Sequence, residues 1–336
     1  MPETAPPTIL VCQPLLFQKP GDYSRILEQG GFQIRYPRVG GKVLTEAQLA
    51  DELKGVQGTI ASTEPYTPAI LERATSLRIV SRTGVGYDSV HVAAATERGI
   101  LVACTPGTNH HAVAEQVFAL LLAAAKRVVV NHAEVAQGGF RRQTSLALRG
   151  KLLGVVGLGR IGRAVARLAE AFQMPVIAHD PFLSSPPDDT PGVRIVSLDE
   201  LFATCDVISL HAAATDATRR LINRESLQQM KPGVILINTA RGTLVDEPAL
   251  CEALQSGHVG GAGLDVFERE PPSDSPLLAA PNVVLSPHVA GVDQQAIEDM
   301  ATMAAQTIVE LSQGGWPEER LVNGGDVTRP WSWTRG

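Results

Sequence analysis

KLLGVVGLGRIGRAVARLAEAFQMPVIAHD, residues 151–180, decides how the rest of the chain is read. Its first apolar run, Leu152-Leu153-Gly154-Val155-Val156, has the length and composition of a buried strand. Gly157-Leu158-Gly159-Arg160-Ile161-Gly162 then turns into a helical pattern that places Ile161, Val165, Leu168 and Phe172 on one face. A second apolar run, Pro175-Val176-Ile177-Ala178, ends at His179-Asp180. Strand, GxGxxG, helix, strand and terminal acid within about thirty residues form a dinucleotide-binding fingerprint. Gly157 permits the tight turn, Gly159 lets a pyrophosphate approach the backbone, and Gly162 lets helix and strand pack closely. The helix start adds unpaired N–H groups and the positive end of its dipole. Asp180 falls where the ribose hydroxyls would sit. A carboxylate there repels a 2′-phosphate, so NAD is expected rather than NADP.

The bulk composition sets the frame around this stretch. At 336 residues the chain is long enough for two domains, each with its own core. With 44% hydrophobic and 19% charged residues it has an ordinary globular composition. A net charge of -6 and the lack of a Lys/Arg run argue against a nucleic-acid-binding face. The longest apolar run, Val117 to Ala125, is too short to span a membrane. MPETAPPTILVC has neither a basic region nor a signal-like apolar core, so secretion is not expected. Cys12, Cys104, Cys205 and Cys251 are scattered without metal-ligand spacing, which predicts reduced cysteines, no metal and a cytoplasmic location.

Before the fingerprint the sequence alternates as a small α/β unit. Strands are expected at Thr8–Cys12, Phe32–Tyr36, Gly58–Ala61, Leu77–Val80 and Ile100–Ala103, with helices between them and Thr45 as an N-cap. The fourth strand runs into Thr83-Gly84-Val85-Gly86, a turn whose exposed N–H groups suit an anion. A breaker cluster at Thr105–Asn109 precedes a long helix from His110 to about Ala125, so a domain boundary is placed near Cys104. Beyond Asp180, Pro181–Gly192 reads as a surface loop. Strands follow at Asp206–His211, Val234–Asn238, Gly261–Val266 and Asn282–Ser286, and a second long helix covers Val292–Gln313.

In a doubly wound sheet, ligands sit outside the carboxyl ends of the strands. Those ends carry Asp180, His211, Arg241, Asp265 (with Glu270 just beyond) and His288. Taking a hydride from a hydroxyl-bearing carbon also requires removal of the hydroxyl proton. Histidine, with an ordinary pKa of about 6.5, can exchange that proton near neutrality. A carboxylate on the far ring nitrogen fixes its tautomer, and an arginine fork can hold a carboxylate and polarise the adjoining carbonyl.

With these motifs in order, the chain resembles the D-isomer-specific 2-hydroxyacid dehydrogenases. The resemblance rests on TGVGYDSV at 83–90, TPGTNHHAVAE at 105–115, GLGRIG at 157–162 and HDP at 179–181. NTARGTLVDEPAL at 238–250, GAGLDVFEREPP at 261–272 and LSPHVAG at 285–291 complete it. It implies an α/β fold of two Rossmann-like domains with doubly wound parallel sheets. An NAD-binding domain, 105–291, would be inserted into a discontinuous substrate domain, 1–104 and 292–336. It further implies hydride transfer between NAD and C2 of a small 2-hydroxy or 2-oxo acid, in a homodimer formed through the cofactor domain and the segment after the first long helix. By motif, Arg241, Glu270 and His288 match the catalytic set, with Arg241 on the substrate carboxylate or carbonyl and His288 as acid/base paired with Glu270. Val85 and Gly86 match the substrate-carboxylate loop. Gly157, Gly159, Arg160, Ile161 and Gly162 match the pyrophosphate site, and Asp180 the adenosine-ribose ligand. Asp265 matches a group near the nicotinamide amide, while His211, Thr239 and Gly291 fall in the same cofactor site.

Departures from the family pattern are few. Leu210-His211-Ala212-Ala213-Ala214 lacks the family's proline, and His91 stands where aspartate is common. Glu270, where formate-oxidising relatives carry glutamine, argues against formate. Ending at Gly336, the sequence is expected to lack the regulatory domain of longer phosphoglycerate enzymes. Arg82, Arg141 and Arg142 hint at an additional anion on the substrate. Phosphite chemistry on the same scaffold, or an NAD(H)-sensing corepressor, are the alternative readings.

Overall fold

The computed structural model describes residues 6–328 and 331–333. Most of the Pro-rich lead and the final residues to Gly336 lie outside the described residues. The chain divides into two compact units, 1–109 with 292–336, and 110–291. The division falls at 109/110 rather than at Cys104. Cys104 N–H bonds Arg320 O at 2.9 Å, and Thr105 Oγ1 accepts from Gly84 N at 2.8 Å, so the breaker cluster is stitched into the first unit.

The first unit holds a parallel five-stranded sheet: β1 (Thr8–Val11), β2 (Gln33–Arg35), β3 (Gly58–Ala61), β4 (Ile79–Arg82) and β5 (Leu101–Ala103), in the order β2-β1-β3-β4-β5. Strands β3, β4 and β5 are buried throughout, as parallel strands covered on both faces must be. Strand β4 begins two residues later than its apolar run suggests, which carries buried Ser81 and Arg82 into the sheet. Ser81 is accommodated because its hydroxyl donates to Ala304 O at 3.2 Å, on the helix Gln294–Ser312. Thr45 caps the helix Glu46–Glu52, accepting from Gln48 N while Gln48 reaches back to Thr45 N. Leu10, Leu49, Leu53, Tyr66 and Leu71 pack together as part of the core on one side of the sheet.

The second unit holds β6 (Leu153–Val156), β7 (Val176–His179), β8 (Arg194–Ile195), β9 (Val207–Leu210), β10 (Val234–Asn238), β11 (Val259–Leu264) and β12 (Val283–Leu285). Its order is β12-β11-β10-β9-β6-β7-β8, parallel at every pairing, with the reversal point between β6 and β9. Alternation of side chains sends Val155 to one core and Val156 to the other, so both faces of the sheet are filled.

Three local readings change. The helix Arg160–Ala171 buries Gly162, Ala164, Val165, Ala166 and Ala169, while Ile161, Leu168 and Phe172 are only half-buried. Small residues face the sheet because helix and strand approach closely; Phe172 instead stacks on Phe118 at 4.9 Å. A helix at Val128–Ala136 and the two-residue strand β8 were not expected. The helix opens with three β-branched valines of low helix propensity and buries none of its residues, so its sequence carries no amphipathic signal.

Candidate active site

The glycine turn after β6 is shaped for an anion. Gly157 has φ +93, and a Cβ there would meet the His211 and Ala212 backbone at 2.9 Å. A Cβ on Gly162 would lie 2.1 Å from Gly157 O, so the helix can sit this close only with glycine. Gly159 has open space around it, and as the N-cap it places no side chain on the first helical N–H groups of Arg160 and Ile161. Asp180 closes the turn: its Oδ2 accepts from Leu158 N at 2.9 Å and its Oδ1 from Phe182 N at 3.0 Å. At the end of β10, Thr239 is buried with an Oγ1 that has no protein partner. An open glycine cradle, a helix N-terminus, an acid at the next strand end and an orphaned buried hydroxyl together fit a dinucleotide. His211 follows β9, its Nε2 against Ser209 Oγ at 2.8 Å; burial pushes its pKa down to about 3, so the ring is neutral at ordinary pH.

At the other side of the reversal point, β10, β11 and β12 bring three further residues together. His288 Nδ1 meets Glu270 Oε2 at 2.8 Å, both groups partly open to solvent. Burial acts to raise the Glu270 carboxyl. The hydrogen bond and charge of His288, the Phe267 N–H and the Arg241 charge outweigh it and hold the pKa below the ordinary glutamate value. Arg241 is half-buried, its Nη1 donating to Ala240 O at 2.6 Å.

The His288 loop hangs on Asp265. This residue is fully buried, and its Oδ1 accepts from Ser286 Oγ at 2.6 Å and Val289 N at 2.9 Å, its Oδ2 from Ala290 N at 2.8 Å. Its carbonyl accepts from His288 N at 2.8 Å. His288 itself has φ 53, a left-handed backbone that a non-glycine residue keeps only when its surroundings fix it. Asp265 is thus the anchor of the loop that ends at Gly291.

Nothing local in the sequence marks the brace between the Arg241 turn and the Glu270 loop. A Cβ on Gly242 would lie 1.8 Å from Phe267 C, so the arginine turn and the glutamate loop touch backbone to backbone. Buried Glu247 accepts from Glu268 N at 2.7 Å and from Ser275 Oγ at 2.5 Å, pinning the loop on either side of Glu270. Glu247 within a VDEP run looks like an ordinary first-turn helix acid, and only the fold shows what it holds.

Val85 and Gly86 belong to the five-stranded unit, in the turn after β4. The turn is fixed by Gly84 N on Thr105 Oγ1 and by Arg82 Nε on Gly86 O at 2.9 Å. Among the described residues the Val85 and Gly86 N–H groups donate to no protein acceptor. Arg82 is buried against its own turn, while Arg141 and Arg142 are exposed in the second unit, Arg142 over the Phe140 ring. Glu64, at the end of β3, escaped the sequence reading: it is fully buried, accepts from Ser62 N at 2.7 Å, and burial pushes its pKa up to about 7.

Residues 118–290 match the NAD binding domain of the D-isomer specific 2-hydroxyacid dehydrogenases. A D-3-phosphoglycerate dehydrogenase of Archaeoglobus fulgidus is 39% identical over 284 residues, 83% of this chain and 54% of that protein. A glyoxylate reductase of Korarchaeum cryptofilum is 42% identical over 268 residues, covering 78% of this chain and 80% of that protein. The chain thus spans about half the length of the phosphoglycerate relatives it matches. The D-lactate dehydrogenase of Aquifex aeolicus, solved with NAD and lactic acid, superposes with a TM-score of 0.80 at 30% identity over 94% of this chain and 98% of that one. The glycine cradle matches the cofactor for which the domain is named, NAD. The chain belongs to the D-isomer specific 2-hydroxyacid dehydrogenase family.

Proposed function

We propose that the protein is an NAD-dependent oxidoreductase that interconverts a small D-2-hydroxy acid and its 2-oxo acid. The observation that carries this reading is the His288 Nδ1–Glu270 Oε2 hydrogen bond of 2.8 Å at the strand ends of an NAD-binding domain. Bound NAD supplies the hydride acceptor or donor. In the oxidising direction His288 Nε2 takes the hydroxyl proton; in the reducing direction it returns that proton to the new alkoxide oxygen. Glu270 on Nδ1 fixes the tautomer and stabilises the imidazolium formed in between. Arg241 holds the substrate carboxylate and polarises the C2 carbonyl, and the free Val85 and Gly86 N–H groups bind the carboxylate. Gly157, Gly159, Arg160, Ile161, Gly162 and Asp180 hold the dinucleotide, with His211, Thr239, Asp265 and Gly291 around it. The test follows NADH absorbance with glyoxylate, hydroxypyruvate, pyruvate, larger 2-oxo acids and phosphite. No turnover on any 2-oxo acid, with NADH binding intact, overturns it.

We propose a homodimer as the working form. The helix Val128–Ala136 buries nothing, and Val128, Val129, Val130 and Val135, together with Phe140, are exposed by 41–79%. Such a patch on a folded protein marks a partner surface. Light scattering behind a sizing column should give twice the chain mass, and Val129→Glu with Val135→Glu should halve it; a monomeric parent protein refutes the assignment. A cytoplasmic location is also proposed, in keeping with four free cysteines, three of them buried. No helix among the described residues is long and apolar enough to cross a membrane.

A further inference from the structure

Glu247 stands where an acid complements a helix dipole. It opens the helix Glu247–Gln255 directly after the N-cap Asp246, whose side chain accepts from Ala249 N at 3.1 Å. An acid serving only the dipole stays in water, but Glu247 is 7% exposed and both its carboxylate oxygens are bonded outside the helix. Oε1 accepts from Glu268 N at 2.7 Å and Oε2 from Ser275 Oγ at 2.5 Å. A carboxylate is kept out of water only when such donors replace its hydration. One side chain thereby closes the segment 268–275, which belongs to no helix or strand. Glu270 lies inside that closed segment.

The closure is held from within and from behind. Inside it, Ser273 N donates to Pro271 O at 3.0 Å and Ser275 N to Pro272 O at 3.1 Å. Glu270 Oε1 accepts from Phe267 N at 3.1 Å, and its Oε2 meets His288 Nδ1 at 2.8 Å. Behind Glu247, buried Asn238 donates through Nδ2 to Arg241 O at 2.9 Å and accepts from Ala240 N at 3.0 Å. Arg220 N donates to Thr243 O, Ile222 N to Leu244 O and Asp246 N to Ile222 O, at 2.8 to 2.9 Å. Glu247 therefore reaches the loop from a segment that is itself bound to the residues after β9. A catalytic pair must be held to within about 0.5 Å, and an irregular segment gains that precision only when its ends are fixed.

We propose that Glu247 is a positioning residue for proton transfer: it acts through Glu270, keeping that carboxylate on His288 Nδ1. This rests on the dehydrogenase reading above, in which His288 exchanges the substrate proton. With the segment closed, Glu270 is in place before the imidazolium forms, so no reorganisation accompanies proton transfer. With it open, Glu270 divides its time between His288 and water, and His288 loses part of its orientation and its counter-charge. Glu247 itself takes no proton and binds no ligand in this role.

The experiment measures kcat and KM for reduction of glyoxylate, hydroxypyruvate or pyruvate, whichever the parent enzyme turns over fastest, together with NADH affinity by fluorescence. Glu247→Ala should lower kcat about 100-fold, with KM and the NADH Kd changed by less than about threefold. Ser275→Ala, which removes one of the two attachments, should lower kcat about tenfold, and Glu247→Gln, which keeps an acceptor for Glu268 N, by a similar factor. In a Glu270→Gln background the added Glu247→Ala substitution should cost less than about threefold, because the group it positions is already gone. An undiminished cost in that background, or a parent-like kcat in Glu247→Ala, overturns the assignment and leaves the dehydrogenase reading standing. So does loss of NADH binding in all three single variants, which makes Glu247 a support of the whole unit. No turnover by the parent on any 2-oxo acid overturns the dehydrogenase reading and this assignment with it.

Discussion

The two sheets are both parallel and both end strands in glycine turns, yet those turns are held in shape by different means. After β6 the turn feeds the twelve-residue helix Arg160–Ala171, so the N–H groups are aligned by the helix and reinforced by its dipole. After β4 the Gly84–Gly86 turn is followed only by the short helix Val92–Glu97, and Thr105 and Arg82 hold it in shape. A helix terminus offers a strong, general phosphate site. A turn propped by side chains offers weaker amides, but its neighbours are free to vary, which is where substrate selection can reside. Buried ionisable groups differ as well: Glu64 near the β4 turn is raised, while His211 beside the β6 turn is lowered, each by burial.

The sharpest way to separate chemistry from cofactor binding is His288→Ala. Loss of the proton-transfer group should lower kcat by about 10³-fold, with NADH affinity nearly unchanged. Fluorescence titration of NADH checks the second half; lost binding would mean His288 has another role. Gly162→Ala attacks the helix-based site alone. With a Cβ 2.1 Å from Gly157 O, the variant should lose about 1–3 kcal/mol in the second unit and most of its NADH affinity. Hydrogen exchange should show the five-stranded unit unaffected.

The buried groups give opposite pH responses. Glu64 is raised from 4.5 to about 7, so its contribution to stability is complete below pH 4.5 and is lost as pH rises through 7. His211 is lowered from 6.5 to about 3, so its contribution is complete above pH 6.5 and is lost as pH falls toward 3. Each slope is at most about 1.4 kcal/mol per pH unit. Between pH 6.5 and 4.5, exchange corrected for its intrinsic pH dependence should slow in the first unit and quicken in the second. Glu64→Gln should remove the first trend only; a shared trend in both units contradicts the comparison. The smallest effect expected is at Asp180, where alanine should narrow the preference for NADH over NADPH by about tenfold. A parent enzyme that already prefers NADPH would refute the role given to this carboxylate.

Much was legible in the sequence because the deciding signals are local. A glycine between an apolar run and a helical pattern has few uses, and Gly157, Gly159 and Gly162 with Asp180 specify a strand, a turn and a helix whose geometry follows from backbone sterics. The apolar run Val234–Ile237, short and β-branched, points to a buried central parallel strand. Position along the chain also placed Arg241 and His288 shortly after strands, with Glu270 just beyond the strand that ends before Asp265.

Only the tertiary structure decided what those residues rest on. The Glu247 brace to Glu268 and Ser275, and the hold of Asp265 on Ser286, Val289 and Ala290, join residues about twenty to thirty positions apart through buried hydrogen bonds. No periodicity encodes such bonds, because they depend on which strand lies beside which. The same holds for Glu64, an unremarked acid in sequence that becomes titratable near neutrality once β1, β3 and β4 enclose it. The sequence determined the elements and the chemistry they carry; strand neighbours decided which groups are buried, anchored or left facing a ligand, since desolvation and hydrogen bonding act through space and not along the chain.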